Sequence, residues 1–545
     1  KKLPAQSVRA LRLLRAKGLV DQTLSLALSE SKRSEGGLLR LTSDSAKIDK
    51  FLSKEGKKRP AQSLTIMRLQ AADKSCLTGP EIRALGGVTD QIVKALVAAE
   101  ILERIDDPTG GARTPPTPTL QQSTAIEAIS DAVRSAETTK FLLYGVTGSG
   151  KTEVFMRAAA EALREGRQVL YLVPEIALAT QAIGLLRERF GRRVAIVHSE
   201  LPPTERLETW MKIRSGESPI ILGARSAVFA PASNLGLIVV DEEHESSYKQ
   251  ESAPRYHART LSLELGRLHG CPVVCGSATP SIESYHASKL GKMVRLETPT
   301  RAASAKLPDV QIVDLGEGFR KHQPALLSPE LVIHLEGVLK RKEQAIIFLN
   351  RRAYAPFLLC RECGTQFRCP KCAVSLSLSK REGRLRCHHC GFTARPPDKC
   401  PSCQGSKLAP VGVGTEKVEE AIEECFPGVL VARLDRDVAQ RKGALEEILT
   451  KFRNQDIQVL VGTQMVAKGL DFPNVTLVGV IAADISLNLP DFRASERTFQ
   501  LLSQVAGRAG RGQRPGHVII QTFSPQHLAV QCAKSHDYET FFKAI

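Results

Sequence analysis

The sequence predicts an α/β protein with two lobes, each built around a buried parallel β-sheet, and three observations lead to this fold class. Short apolar segments alternate with helical patterns from residue 121 onwards, and a glycine-rich motif follows the first of these segments. Four Cys-x-x-Cys pairs then interrupt the second series of segments. The length of 545 residues allows about three or four domains.

The composition is that of an ordinary globular protein, with 25% charged and 42% hydrophobic residues. The 76 Lys and Arg against 58 Asp and Glu give a net charge of +18, which favours nucleic acid as a partner over the alternative of a basic enzyme without one.

No apolar stretch reaches the ~18–20 residues of a membrane span, so no membrane partner is expected. The chain opens at Lys1 without an initiator Met or a signal peptide. We therefore expect a fragment from a reducing compartment, where paired cysteines favour metal over disulfides.

Residues 1–108 are predicted to form a separate winged-helix-like DNA-binding module. Residues 78–85 are expected to form a short helix, and residues 88–102 a second one with an apolar face. A plain helical hairpin explains the same pattern equally well. Residues 109–119, rich in Pro, Gly and Thr, are expected to be a linker.

The two lobes are expected at residues 120–300 and at residues 301–357 continued by 409–545, with the insertion at 358–408. Continuous apolar runs are typical of parallel strands buried on both faces. In the first lobe, strands are expected at residues 141–144, 169–173, 220–222, 237–240 and 272–275. In the second lobe, they are expected at residues 345–349, 429–431, 459–461 and 475–481.

A phosphate-binding loop is predicted where Gly145-Val-Thr-Gly-Ser-Gly-Lys-Thr152 follows the first strand and precedes a helix at residues 153–165. Backbone N–H groups of such a loop and the helix N-terminus hold the phosphates of ATP. Lys151 would contact the β- and γ-phosphates, and Thr152 would bind Mg²⁺. The candidate nucleotide-binding residues of the loop are Gly145, Gly148, Ser149, Gly150, Lys151 and Thr152.

Acidic and basic side chains elsewhere are expected to complete this site. Asp241 and Glu242 end an apolar strand, so Asp241 is predicted to hold Mg²⁺ and Glu242 to act as a base toward water. The alternative interpretation of Asp241 and Glu242 is a solvated acidic loop that follows a core strand. Arg508 and Arg511 follow Gln504 one turn apart, a spacing that allows both to face one γ-phosphate from the opposite lobe. Taken alone, the spacing of these two arginines favours a basic surface helix.

The cysteine-rich insertion predicts two structural Zn²⁺ sites, because eight thiolates complete two tetrahedra. The loop between Cys372 and Cys387 suits a zinc ribbon, which favours nested pairing. Sequential pairing remains the alternative on spacing alone, and the other five cysteines are expected in the core. The candidate ligands are Cys360, Cys363, Cys369, Cys372, Cys387, Cys390, Cys400 and Cys403.

Together these motifs resemble those of superfamily 2 helicases, and most closely those of the PriA family of primosomal helicases, from about residue 121 to the end of the chain. The resemblance implies RecA-like lobes. The matching segments are Gly145–Val154, Val173–Leu178, Gly223–Ala227, Asp241–His244, Gly276–Pro280, Phe348–Arg352, Gly412–Glu416, Gly462–Gly469 and Gln504–Arg511.

The resemblance also implies roles that the residues alone do not show. Gln122 would read adenine, Lys468 would line the DNA track, and Gln504 would act with the arginines in catalysis. Residues 252–259 are similar to the aromatic-rich loop that senses single-stranded DNA. Its stacking and phosphate contacts would come from Arg255, Tyr256, His257 and Arg259.

The implied function is an ATP-dependent 3′ to 5′ DNA helicase of the bacterial cytoplasm. It would act on single-stranded and forked DNA with single-stranded-DNA-binding protein and primosome proteins, to restart stalled replication. A translocase that does not unwind DNA, a zinc-stabilised assembly scaffold with secondary ATPase activity, and RNA as the substrate are the alternatives. Members of the family also carry an N-terminal 3′-end-binding domain and a C-terminal domain, which we expect this fragment to lack. Because no heptad seam is found, a monomer is expected.

Overall fold

The computed structural model divides the chain into two compact units, Lys1–Pro108 and Thr109–Ile545. The described helices include none with the length and apolarity needed to span a membrane. The structure describes residues 38–42, 48, 51–53, 59–71, 77–78, 88–99, 101–105, 115–175, 180–198, 201–301, 307–320, 326–349, 357–360, 362–363, 365, 367–372, 375–379, 383–387, 390–411, 414–435, 438, 444–466, 472–487, 491–510 and 514–545.

The described part of the first unit combines helices α1 (Pro60–Ala71) and α2 (Asp90–Ala98) with a small antiparallel sheet. Its strands β1 (Leu38–Leu41), β2 (Leu77–Thr78) and β3 (Leu102–Ile105) lie in the order β2-β1-β3. The pairing of β1 with β3 excludes a plain helical hairpin.

Both predicted helices of this unit need correction. The second helix ends at Ala98, because the Ile101 N–H bonds to Leu96 O at 3.0 Å and Leu102 then begins β3. Thr78, expected in the first helix, lies in β2, and the remainder of that predicted helix is outside the described residues.

Lobe 1 is a seven-stranded parallel sheet within the described residues, in the order β10-β4-β9-β8-β5-β7-β6, with buried apolar clusters around it. Its strands are β4 (Lys140–Gly145), β5 (Gln168–Leu172), β6 (Val194–Val197), β7 (Ile220–Gly223), β8 (Leu235–Asp241), β9 (Val273–Ser277) and β10 (Val294–Thr298). Its helices are α3 (Leu120–Arg134), α4 (Lys151–Arg164), α5 (Thr180–Phe190), α6 (Pro203–Ser215), α7 (Ala258–His269) and α8 (Ile282–Lys289).

Lobe 2 and its insertion follow. The strands are β11 (Asp309–Asp314), β12 (Gln344–Leu349), β13 (Phe357–Cys360), β14 (Ser377–Ser379), β15 (Arg384–Arg386), β16 (Thr393–Ala394), β17 (Leu408–Val411), β18 (Val431–Leu434), β19 (Val459–Gly462), β20 (Val475–Ile481) and β21 (His517–Thr522). The helices are α9 (Leu315–Arg320), α10 (Pro329–Lys340), α11 (Thr415–Cys425), α12 (Ala444–Arg453), α13 (Asp484–Leu487), α14 (Ala494–Ala506), α15 (Leu528–Lys534) and α16 (Tyr538–Ala544).

In the part of lobe 2 that the structure describes, six strands form a parallel sheet in the order β11-β21-β20-β12-β19-β18. The insertion forms a separate antiparallel sheet in the order β16-β15-β14-β13-β17. The predicted α/β class with two parallel-sheet lobes is therefore confirmed.

Some local predictions in these lobes need correction. The strand expected at 429–431 begins only at Val431, because the Val429 N–H closes a turn onto Phe426 O. Cys425, expected in the core, is exposed at the end of α11.

Three neighbouring strands of lobe 1 position the candidate site. The phosphate loop follows β4, the acidic motif follows β8, and Ser277-Ala-Thr-Pro280 starts at the end of β9, which lies between them. Because all three strands are parallel, the three motifs meet at the carboxyl edge of the sheet, where α/β sheets bind ligands.

Candidate active site

The phosphate loop has the backbone that its glycines predict. Gly148 and Gly150 have φ values of 83° and 78°, in the left-handed region that glycine adopts without strain. Lys151 begins α4 and its Nζ donates to Gly145 O at 2.7 Å, so the ammonium group lies inside the loop at the helix N-terminus. Ser149 Oγ lies 3.0 Å from Thr298 Oγ1 of β10, which braces the loop from the neighbouring strand.

Asp241 is held at the end of β8 by three hydrogen bonds, and its environment excludes the predicted alternative of a solvated loop. Tyr171 Oη donates to Asp241 Oδ2 at 3.2 Å, the Glu242 N–H donates to Oδ1 at 3.0 Å, and Tyr248 Oη donates to the backbone carbonyl at 2.6 Å. Burial and the negative charge of Glu242 raise the pKa of Asp241 to about 7, while the charge of Lys151 acts in the opposite direction. Such a partly buried carboxylate suits a divalent cation, whose charge would stabilise the ionised form.

Glu242 has features expected of a residue that acts on water. Its φ of 46° places a non-glycine residue in the left-handed region, a strained conformation often found at functional sites. Its Oε2 atom is buried and, among the residues the structure describes, has no hydrogen-bond partner. In the described part of the chain, His244 Nδ1 lies 3.7 Å from this oxygen.

A chain of hydrogen bonds connects the two lobes behind this carboxylate. Gln504 Nε2 of α14 donates to His244 Nε2 at 2.7 Å, which assigns the ring proton to Nδ1. The Nδ1–H group then donates to Ser277 Oγ at 2.7 Å, and the Thr279 N–H donates to the same oxygen at 2.9 Å. The predicted Gln504 therefore contacts the acidic motif directly.

The segment after Gln504 packs onto the phosphate loop. A Cβ atom at Gly507 would lie 2.7 Å from the Thr147 Cβ atom, so the glycine allows close contact between lobe 2 and the loop. Arg508 comes next and is 7% exposed, which excludes a surface helix at this position. Arg301, which the sequence did not single out, is also buried, and its Nη1 donates to Gly510 O at 2.9 Å.

Gln122 is placed beside the loop by a capping box at the start of α3. Its Nε2 donates to Ser149 O at 2.7 Å, and its Oε1 accepts from the Thr119 N–H at 2.9 Å. The side chain therefore braces the phosphate loop in this structure, and its contact with adenine stays a prediction. Arg511 and Lys468 lie outside the described residues.

Arg259 is paired with a buried carboxylate in this structure, and its phosphate contact stays a prediction. Its Nη1 donates to Glu243 Oε2 at 2.6 Å, and Glu243 is fully buried and also accepts from the Ser281 N–H at 2.7 Å. Burial raises the pKa of Glu243, but Arg259 and Ser281 outweigh this effect and lower the net value. The guanidinium group thus joins the acidic motif to the start of α8.

The rest of the aromatic-rich loop remains available for ligand contact. Arg255 is exposed, and Tyr256 packs edge to face with Phe229 at a centroid distance of 5.0 Å. Burial and the neighbouring Arg259 lower the pKa of His257 to about 4, so its ring is neutral at pH 7. Their DNA contacts stay predictions.

The eight insertion cysteines form two groups of four, in the nested arrangement. Within each group the sulfur atoms all lie within 4.8 Å of one another. A Zn²⁺ tetrahedron with bonds of ~2.3 Å requires sulfur–sulfur distances of about 3.8 Å. Three of the pairs are 3.6 Å apart, so both groups fit a tetrahedral metal ion. The groups are Cys360, Cys363, Cys400 and Cys403, and Cys369, Cys372, Cys387 and Cys390.

Family comparisons match the chain in three places. Residues 119–287 match the DEAD/DEAH box helicase model, residues 406–513 match the helicase conserved C-terminal domain, and residues 369–395 match the PriA DNA helicase Cys-rich region domain. Helicase Lhr of Mycobacterium smegmatis, solved with single-stranded DNA and AMP-PNP, is 18% identical with a TM-score of 0.47. That alignment covers 77% of this chain and 48% of Lhr.

Two curated relatives are similar over most of the chain. The replication restart protein PriA of Bacillus subtilis is 46% identical over 432 residues, covering 79% of this chain and 54% of the relative. The replication restart protein PriA of Treponema pallidum is 45% identical over 422 residues, covering 77% of this chain and 63% of the relative. The chain thus spans about half to two thirds of the length of these relatives. The domain matches and these identities show that the chain belongs to the PriA family of replication restart proteins.

Proposed function

We propose that this chain is an ATP-dependent DNA helicase that moves 3′ to 5′ on single-stranded DNA and acts at stalled or branched forks to restart replication. The contact between the lobes supports this proposal most strongly. Gln504 and Gly507 of lobe 2 lie against His244 and Thr147 of lobe 1. A change at the phosphate loop can therefore be transmitted to the opposite lobe, as a motor requires.

In the proposed hydrolysis, both lobes contribute side chains to the reaction. Lys151 and Thr152 would hold the phosphates and Mg²⁺, whose charge stabilises the developing negative charge when bound. Glu242 would orient and deprotonate the attacking water through its Oε2 atom, which accepts no hydrogen bond from the described residues. Arg508, together with Arg511, would approach the γ-phosphate from lobe 2.

The proposal also covers the zinc sites, the protein partners, the cellular compartment and the oligomeric state. The two cysteine groups would each hold one Zn²⁺, which would fix the fold of the insertion. Single-stranded-DNA-binding protein and primosome proteins are the proposed partners, the proposed compartment is the bacterial cytoplasm, and the proposed state is a monomer.

The test of the proposal is ATP hydrolysis by this chain with no polymer, with single-stranded DNA and with RNA. Stimulation by DNA and weaker stimulation by RNA are expected, and equal stimulation by both would contradict the DNA assignment. A forked duplex with a labelled strand then distinguishes unwinding from translocation alone.

Lys151→Ala provides the matched control. It removes the ammonium group that lies inside the loop, so hydrolysis and unwinding should be lost while single-stranded DNA binding remains. If Lys151→Ala hydrolyses ATP normally, the site is wrongly assigned. If Lys151→Ala still supports assembly of primosome proteins at forks, and only removal of zinc abolishes this assembly, the scaffold alternative is favoured.

A further inference from the structure

Phe492 is the most exposed aromatic side chain among the described residues, with 92% of its surface accessible. It lies two residues before α14, the helix that carries Gln504. A phenylalanine in such a position exposes a full aromatic face to water, which is unfavourable unless a ligand covers it.

The backbone on both sides of Phe492 is fixed. Asp491 Oδ1 accepts from the Arg493 N–H at 2.9 Å, and Asp491 O accepts from the Ala494 N–H at the same distance. Asp491 Oδ2 also accepts from Arg497 Nη1 at 2.5 Å. The ring is therefore presented by a well-bonded turn, and its exposure does not result from a lack of local contacts.

An ion pair ties this turn to the opposite lobe. The Arg493 side chain donates to Glu283 of α8 in lobe 1 at 3.2 Å and to Glu496 of α14 at 3.1 Å. The Arg493 guanidinium carbon also lies 5.3 Å from the centroid of the Phe492 ring. Phe492 consequently stands at the boundary between the lobes, where their relative position changes during a motor cycle.

The ring borders an open cleft of about 870 Å³ between the lobes. The lobe 1 side of the cleft comes from the aromatic-rich loop and its surroundings, with the cations Arg225 and Lys249 and the neutral ring of His257. Arg497 of lobe 2 also lines the cleft and pairs with Asp491. Carboxylates lie among these cations, including Glu245, Glu251 and Glu283. Single-stranded nucleic acid is recognised by aromatic rings that stack on bases within a groove that carries cations for the backbone.

We propose that Phe492 is a base-stacking residue of lobe 2, which contacts a nucleotide of the single strand that occupies this cleft. The inference rests on the proposed DNA-binding function and extends it, because it assigns a base contact to the lobe opposite the aromatic-rich loop. With one stacking contact on each lobe, the strand would be held from both sides of the moving boundary.

The test is the affinity of the whole chain for a fluorescent oligo-dT strand and for a strand of the same length whose sugars carry no bases. Phe492→Ala should weaken oligo-dT binding by about 5- to 150-fold. It should have little effect on the abasic strand, where no base is available to stack. Phe492→Trp keeps an aromatic ring and should bind oligo-dT as the unaltered chain does. Ile333→Ala is the matched control, because it removes an exposed apolar side chain of lobe 2 outside the cleft and should leave binding unchanged.

A spectroscopic measurement reports the stacking itself. The sequence has one tryptophan, so Phe492→Trp combined with Trp210→Phe leaves a single indole at the proposed contact. Its fluorescence should be quenched by oligo-dT and much less by the abasic strand.

The outcomes separate this inference from the function on which it rests. If the unaltered chain binds neither strand, the proposed DNA-binding function fails. If it binds oligo-dT but Phe492→Ala binds equally well, or loses equal affinity for both strands, the stacking role of Phe492 is overturned.

Discussion

Gly507→Ala tests the packing of lobe 2 on the phosphate loop by adding one methyl group between them. Gly507 has φ −61° and ψ −5°, values that alanine adopts without strain. The added Cβ would lie 2.7 Å from both Cβ and Oγ1 of Thr147, where ordinary contact requires about 3.5–4.0 Å. The perturbation is therefore steric and is confined to the contact between the lobes.

The expected magnitude follows from this overlap. Relieving it requires the two backbones to separate by about 1 Å, and overpacking of this kind typically costs about 1–3 kcal/mol. At about 1.4 kcal/mol for each factor of ten, the equilibrium constant for forming the packed arrangement falls by about 5- to 150-fold. Arg508 is proposed to act at the phosphate site in this arrangement, so kcat for ATP hydrolysis should fall by up to the same factor.

The assay compares steady-state ATP hydrolysis in the presence of saturating single-stranded DNA. Gly184→Ala is the matched control, because Gly184 is exposed on α5 and a Cβ there would have no neighbour within 4 Å. That variant should keep its activity and gain slightly in helix stability. If Gly507→Ala hydrolyses ATP at the rate of the unaltered chain, the lobes do not pack in this way during turnover, and the reasoning is refuted.

Two further predictions concern stability and metal content. Cys387→Ser should reduce the zinc content, measured by mass spectrometry, from about two ions per chain to one, whereas Cys425→Ser, outside both groups, should leave it unchanged. Glu243→Gln should lower the free energy of unfolding by up to about 3–5 kcal/mol, because it removes the fully buried carboxylate at 2.6 Å from Arg259 and leaves only Glu283, at 3.9 Å, as an ion-pair partner among the described residues. Glu264→Gln breaks an exposed ion pair on α7 and should not shift the urea midpoint measurably.

Contiguous motifs could be predicted from the sequence because their chemistry depends on neighbours along the chain. The phosphate loop needs glycines within a few residues of Lys151, and the structure shows Gly148 and Gly150 in the left-handed conformation that explains them. The acids after β8 were predictable for the same reason. The limits of the strands were harder to predict. Strand β18 starts later than the apolar run suggests, because Val429 lies in a turn closed by its N–H bond to Phe426 O.

Residues whose role depends on distant partners could not be predicted. Arg301 lies in a connecting segment with no recognisable pattern, and its partner carbonyl belongs to a residue 209 positions later. Arg259 was expected to contact phosphate because its segment resembles the aromatic-rich loop of the helicase family, and that contact stays a prediction. Its partner in the structure is the fully buried Glu243, which lies 2.6 Å away because α7 packs against β8.

The pairing of the cysteines shows where the sequence leaves a choice and what decides it. Spacing allows sequential or nested sites, because each Cys-x-x-Cys pair can share a metal with any other pair. Strands β13 and β17 pair antiparallel, with Cys360 opposite Leu408, so the two ends of the insertion lie side by side. This closure brings the first and last pairs together and leaves the middle pairs to each other. Because the insertion enters and leaves lobe 2 at adjacent points, its metal sites can stabilise it without altering the order of the parallel sheet.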